Sequence, residues 1–231
     1  MQTNSGEIAI DAGGRAGRVT GLLALPPGAF CLLVFAHGAG AGMRHPFMES
    51  AADGLGARGI ANLRYQFPYM EKKSRRPDPP AVLQATVRAA VAAAAAAAPG
   101  LPLFAGGKSM GGRMTSLAAA AEPLSGVRGL VFFGFPLHAA GSPSDARGAH
   151  LAQVTVPMLF LQGTRDKLAD LGLLRPLLTL NPRARLEVIE GADHSFHVPK
   201  AGGRTDAAAL ADMMAATTGW AKSIAAGPPL T

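Results

Sequence analysis

Short apolar runs rich in strand-forming residues alternate with longer alanine- and leucine-rich runs along nearly all of this 231-residue chain, and that alternation narrows its fold most. Strands separated by helices return to the sheet in parallel, so the expected architecture is α/β, a mostly parallel sheet with helices on both faces. The runs expected as strands lie at 7–11, 18–25, 30–36, 60–65, 101–105, 128–134, 158–162 and 185–190. Helices are expected at 43–58, 79–98, 110–121, 168–180 and 205–225. The first two strand runs have no helix between them and are expected to form an antiparallel edge hairpin through the glycine-rich stretch at 13–17, giving eight strands, or seven without an edge. The alanine run at 92–98 reads as helix, with Pro79-Pro80 as a start signal and Pro99-Gly100 as a stop.

The length suits one large α/β domain spanning 1–231, with fraying expected at 1–6 and 226–231. The amino terminus lacks a basic stretch followed by an apolar core, and no later apolar run is expected to cross a bilayer, so a cytoplasmic location with no membrane partner is the default expectation. The single cysteine, Cys31, lies inside an apolar run and is expected to be a buried strand residue. A net charge of +7 invites a nucleic-acid partner, but only Lys72-Lys73-Ser74-Arg75-Arg76 is a true basic cluster. It is expected to be a solvated loop that draws anionic substrate, with no nucleic-acid role.

Gly107-Lys108-Ser109-Met110-Gly111 lies between an apolar run and an alanine-rich helical run, the strand-turn-helix setting in which G-x-S-x-G makes a nucleophile elbow. A tight turn lifts the serine hydroxyl above the sheet edge, and the small residues beside it let neighbouring backbone approach. The helix after it aims backbone N–H groups at the same point. An activated serine needs a base, and the base needs an acid to hold its tautomer. Asp166 follows the strand run at 158–162 and His194 follows the run at 185–190, so both are expected on the edge that carries Ser109. Serine, then aspartate, then histidine is the chain order of one fold in particular.

Rival readings of the same residues are weaker. A P-loop ending at Ser109 needs glycine where Pro102 stands, and a dinucleotide fingerprint starting at Gly38 needs glycine where Met43 stands. No cofactor is expected. His194 and His197 lack a third ligand of suitable spacing, so no metal is expected either. His37 precedes the serine and is read as a structural hydrogen-bonding residue beneath a loop.

His37-Gly38-Ala39-Gly40, Arg64-Tyr65-Gln66-Phe67-Pro68-Tyr69-Met70-Glu71, Gly107 to Arg113 and Asp193-His194-Ser195-Phe196 carry a resemblance over nearly the whole chain. It resembles the α/β-hydrolases, in particular the small lidless branch around dienelactone hydrolase, and within it the group of hydrolase-like domains of the KANL and Tex type. The resemblance implies a single-domain α/β-hydrolase fold without a cap. It implies Ser109 as nucleophile, His194 as base and Asp166 as acid, with an oxyanion hole from the backbone N–H groups of Met110 and Ala39. Dienelactone hydrolases proper carry cysteine where this chain has Ser109, so their substrate does not transfer.

The stretch at 135–157 has room for a loop and one short helix only, so the pocket is expected to be open, with Gly40, Tyr65, Phe67, Tyr69, Phe135, Leu137, His138 and Phe196 as candidate substrate-binding residues. The function expected is a serine hydrolase of the carboxylesterase or thioesterase kind acting on a small acyl substrate, with peptidase activity left open. The alternative is a binding or scaffold protein that keeps the fold without turnover.

Overall fold

The computed structural model describes residues 4–199 and 203–227. Eight strands, β1 (Asn4–Asp11), β2 (Arg18–Leu25), β3 (Cys31–Ala36), β4 (Ile60–Tyr65), β5 (Leu103–Lys108), β6 (Val127–Phe133), β7 (Met158–Gly163) and β8 (Ala184–Ile189), form one sheet in the order β1-β2-β4-β3-β5-β6-β7-β8. β3 to β8 are parallel, and β2 alone runs against its neighbours, pairing antiparallel with β1 and β4. The edge hairpin closes where Ala12 N–H donates to Gly17 O at 2.8 Å. Among the described residues six α-helices accompany the sheet: α1 (Pro46–Gly56), α2 (Pro68–Glu71), α3 (Pro80–Ala97), α4 (Met110–Ala121), α5 (Leu171–Thr179) and α6 (Asp206–Ala225).

Alternation along the central strands builds a core on each face. Leu32, Val34 and Ala36 of β3 face the layer holding α3, α4 and α5, while Cys31, Leu33 and Phe35 face α1 and α6, where Met48, Leu55, Met213, Met214 and Trp220 pack. Cys31 is free and buried, and burial pushes its thiol up to about 12. α3 is long and apolar enough to cross a membrane by length and composition, contrary to the sequence expectation, and it packs here on the sheet and on α4 through Leu83, Val87, Ala90 and Val91.

The differences from the expected boundaries have local causes. The expected strand at 101–105 runs instead from Leu103 through Gly106 and Gly107. A Cβ at Gly106 would lie 1.9 Å from Val131 O, so that glycine serves close strand packing rather than the turn. Helix α1 starts at Pro46 rather than Met43, because the His45 ring accepts the Phe47 N–H at 3.2 Å as an N-cap. Helix α5 starts at Leu171, capped by Asp170 on Gly172 N–H at 2.7 Å. Residues Asn4 to Gly6, expected to fray, pair with Leu23 to Leu25 in the edge hairpin. At the other end Ala226 and Gly227 still donate to helix carbonyls, and 1–3 and 228–231 lie outside the described residues. The stretch at 135–157 holds a 3-10 helix, Ala146–Gln153, and no helical cap.

Candidate active site

Parallel strands put their carboxyl ends on one edge, and the loops after β3, β5, β7 and β8 meet there. Ser109 occupies the turn from β5 into α4 with φ 51° and ψ −118°, a left-handed conformation that side chains avoid. Close packing holds it. Ser109 N–H donates to Phe133 O at 3.1 Å, and a Cβ on Gly107 or Gly111 would sit 2.4 Å from Ala36 O or 2.5 Å from His37 O. Glycine at both positions lets the elbow lie directly against the end of β3.

Asp166 follows β7, where Gly163 allows the strand end to touch the next loop: a Cβ there would lie 2.2 Å from Ala192 O. The Asp166 carboxylate is fully buried and accepts on both oxygens, Oδ1 from Leu168 N–H at 2.7 Å and Oδ2 from Gln162 Nε2 and from His194 Nδ1 at 2.7 Å. Gln162 is itself buried and pinned, its Oε1 accepting Phe135 N–H at 2.9 Å. His194 stands in a tight loop after β8, shaped by Asp193 Oδ1, which accepts from Ser195 N–H at 2.8 Å and His197 N–H at 3.0 Å. Because the carboxylate takes the Nδ1 hydrogen, Nε2 is the acceptor nitrogen, and it lies 2.8 Å from Ser109 Oγ. The three residues expected to meet on one edge form a continuous hydrogen-bonded chain.

Two backbone N–H groups are expected to serve an oxyanion. Met110 N–H opens α4, Ala39 N–H lies in the loop after β3, and neither meets a protein acceptor among the described residues. That loop is tied from outside: Tyr69 OH accepts Gly40 N–H at 2.9 Å and Gln66 Oε1 accepts Met43 N–H at 2.9 Å. Beneath it His37 is buried between Gly38 O, 2.7 Å from Nδ1, and Phe67 N–H, which donates to Nε2 at 3.1 Å. Burial pulls its pKa down to about 4 and keeps it neutral, the structural part expected of it. A pocket of about 340 Å³ opens over Ser109 and His194, walled by Ala39, Phe47, Met48 and Leu168.

Several expected pocket residues do not reach it. Tyr65, Phe67, Phe135 and Leu137 are buried in the core, Phe135 against Phe132 and Phe160. His138 spends both ring nitrogens on backbone, Nδ1 against Ala139 O and Nε2 accepting Asp170 N–H, each at 2.9 Å. The aromatic side chains went to the largest apolar volume available, which is the core. Tyr69 is buried too and acts on the loop through its hydroxyl, while Gly40 is exposed beside Ala39. Phe196 stacks on Phe47 at 5.7 Å and borders an adjacent cavity of about 480 Å³, where His197 pairs with Asp206 at 2.9 Å away from Ser109. Sequence reasoning missed Phe47, Met48, Leu168, Gln162 and Lys108. The strongest available signal was for Lys108, a charged residue inside the elbow pentapeptide. Among the described residues no three His, Cys, Asp or Glu side chains gather as a metal-ligand set.

Comparison with known proteins follows the same lines. Residues 30–222 match the family model described as alpha/beta hydrolase domain. Among solved structures, a dienelactone hydrolase from Anabaena variabilis is similar with a TM-score of 0.77 at 22% identity, covering 97% of this chain and 99% of that one. An α/β serine hydrolase without a lid from Xanthomonas campestris is similar with a TM-score of 0.73 at 24% identity, covering 99% of each chain. A cold-adapted esterase from an Arctic intertidal metagenomic library gives 0.69 at 20% identity, covering 97% of this chain and 95% of that one. At these identities the likeness to the solved structures is one of fold.

Proposed function

The chain belongs to the α/β-hydrolase family, and on that premise we propose that it is a serine hydrolase cleaving a small ester, thioester or related acyl compound through an acyl-enzyme. The observation that carries this reading is the unbroken chain Ser109 Oγ, His194 Nε2, His194 Nδ1, Asp166 Oδ2 at the strained elbow. His194 Nε2 takes the hydroxyl proton as Oγ attacks the carbonyl carbon, and the buried Asp166 carboxylate stabilises the imidazolium that results. The tetrahedral oxyanion draws on the Met110 and Ala39 N–H groups. The imidazolium then protonates the leaving group, and a water activated by His194 releases the acid and restores the serine.

The pocket volume of about 340 Å³ and the absence of a cap among the described residues favour a compact acyl group reached from open solvent. Two of the similar structures are named a dienelactone hydrolase and an esterase, which supports an ester-type bond as the target. The loop at 72–76 carries four exposed cations and follows the strand β4, whose carboxyl end lies on the same sheet edge as that of β3, so an anionic substrate is part of the proposal. A panel of activated oxygen esters and thioesters of increasing acyl length tests the reading. Wild type is expected to release acid from short members with a burst of leaving group, and Ser109→Ala to release none above background; equal release by both overturns it.

A further inference from the structure

The lysine inside the elbow pentapeptide is not needed by the mechanism above, yet it touches the base loop. Lys108 ends β5, lines the pocket beside Ser109, and its ammonium donates to the backbone carbonyl of His194 at 2.5 Å. The ammonium lies 5.1 Å from the Phe196 ring centre and 5.8 Å from that of Phe47, against their π faces. Gly134 makes the room, since a Cβ there would lie 3.0 Å from Lys108 Nζ and 3.5 Å from the His194 ring. Among the described residues no carboxylate stands within ion-pairing distance of Nζ.

Withdrawing a cation from water without a counter-ion is costly, and Lys108 is half-buried here. The charge therefore needs a reason. A charge-assisted bond to a carbonyl is roughly twice as strong as one from a neutral amide, and the two ring faces favour the ammonium further. The carbonyl it holds is that of the base residue itself, so the bond fixes the loop that aims Nε2 at Ser109. Building on the serine-hydrolase reading, we propose that Lys108 is a positioning residue for His194: its ammonium anchors the base loop to the nucleophile strand and so keeps Nε2 aimed at the Ser109 hydroxyl.

The other charged or titratable groups around this arrangement are Asp166 from the loop after β7, Asp193 within the base loop, and His45 across the pocket at the start of α1. Burial pushes the Lys108 ammonium down to about 8, and Asp166 and Asp193 pull it the other way. Below about 8 the lysine is charged, so the charge-assisted bond is present in full there.

Three variants separate bond from charge, each read by the rate at which a fluorophosphonate labels Ser109 and by kcat and KM for a short neutral ester at about pH 7, below the Lys108 pKa of about 8. Lys108→Met has neither donor nor charge, Lys108→Gln keeps a donor, and Lys108→Arg keeps both. Met is expected to lower the labelling rate and kcat about tenfold with KM little changed. Gln is expected to keep part of both rates, and Arg to restore most of them. Labelling and kcat unchanged in Met overturn the proposal, as does an Arg variant no faster than Met. Absence of labelling in the wild type would instead sink the serine-hydrolase reading itself, and this inference with it.

Discussion

Asp166→Asn changes one atom and almost no volume, so its consequences are set by hydrogen-bond polarity. Both carboxylate oxygens are acceptors only: Oδ1 for Leu168 N–H at 2.7 Å, Oδ2 for Gln162 Nε2 and His194 Nδ1. An amide offers one acceptor oxygen, so its NH₂ meets a donor in either orientation. Turned toward Leu168, it orphans a backbone N–H. Turned toward His194, it accepts nothing from Nδ1 and drives the ring to the tautomer with hydrogen on Nε2, which cannot take the Ser109 proton.

Hydrogen bonds to charged groups are worth about 1.5–3 kcal/mol each and an unsatisfied buried donor costs about 1–3 kcal/mol, so the variant is expected to lose about 2–4 kcal/mol of stability while remaining folded. Turnover suffers more, because either outcome also removes the counter-charge of the imidazolium. The expected fall in kcat/KM is about 10³–10⁴, equivalent to about 4–5.5 kcal/mol of transition-state stabilisation. Asp193 cannot stand in, since its Oδ1 already holds the Ser195 and His197 N–H groups. Ester hydrolysis and thermal unfolding measured on the same preparation decide the matter. An Asp166→Asn enzyme within tenfold of wild type would refute the assignment of the acid.

Tyr69→Phe removes only the oxygen that holds Gly40 N–H; with Gly40 exposed to water the stability cost is about 1 kcal/mol, while a looser Ala39 N–H is expected to lower kcat about tenfold with KM little changed. An unchanged kcat would show that the loop needs no tether. His37 is held neutral with its pKa near 4, below the unfolded value of about 6.5, so it carries no penalty above pH 6.5 and costs up to about 3 kcal/mol as pH falls toward 4. His150, pulled down to about 4 by burial and by Arg113, adds in the same direction. Denaturation midpoints that stay level between pH 7 and 4.5 would contradict this. Neutralising Lys72, Lys73, Arg75 and Arg76 together is expected to lower kcat/KM for an anionic ester at low salt, spare a neutral ester and leave kcat unchanged, because exposed charges act on encounter. Equal handling of both esters by wild type and variant removes the steering role.

The sheet was legible because buried parallel strands read as continuous apolar runs and the helices between them have clear proline and glycine punctuation. Ser109, Asp166 and His194 were legible for the same reason: each stands just past a recognisable strand end, and parallel strands bring those ends together. Glycine was harder to interpret. Gly106 and Gly107 read as turn, but their lack of a side chain serves the close contact of β5 with Val131 and Ala36. The pocket walls were least legible, since Tyr65, Phe67 and Phe135 have the same character whether they line a cleft or fill a core. Gln162 links Asp166, four residues on, to the distant Phe135, and Lys108 reaches the distant His194; no local pattern announces the distant contacts.

Intact-mass and peptide mapping after brief exposure to a fluorophosphonate tests the central claim most directly, because only a hydroxyl activated by its base and facing an oxyanion site is phosphonylated quickly. The account predicts a single adduct on the peptide carrying Ser109, absent in Ser109→Ala and slowed by orders of magnitude in His194→Ala. An adduct on another serine, or a His194→Ala protein labelled as fast as wild type, would contradict it.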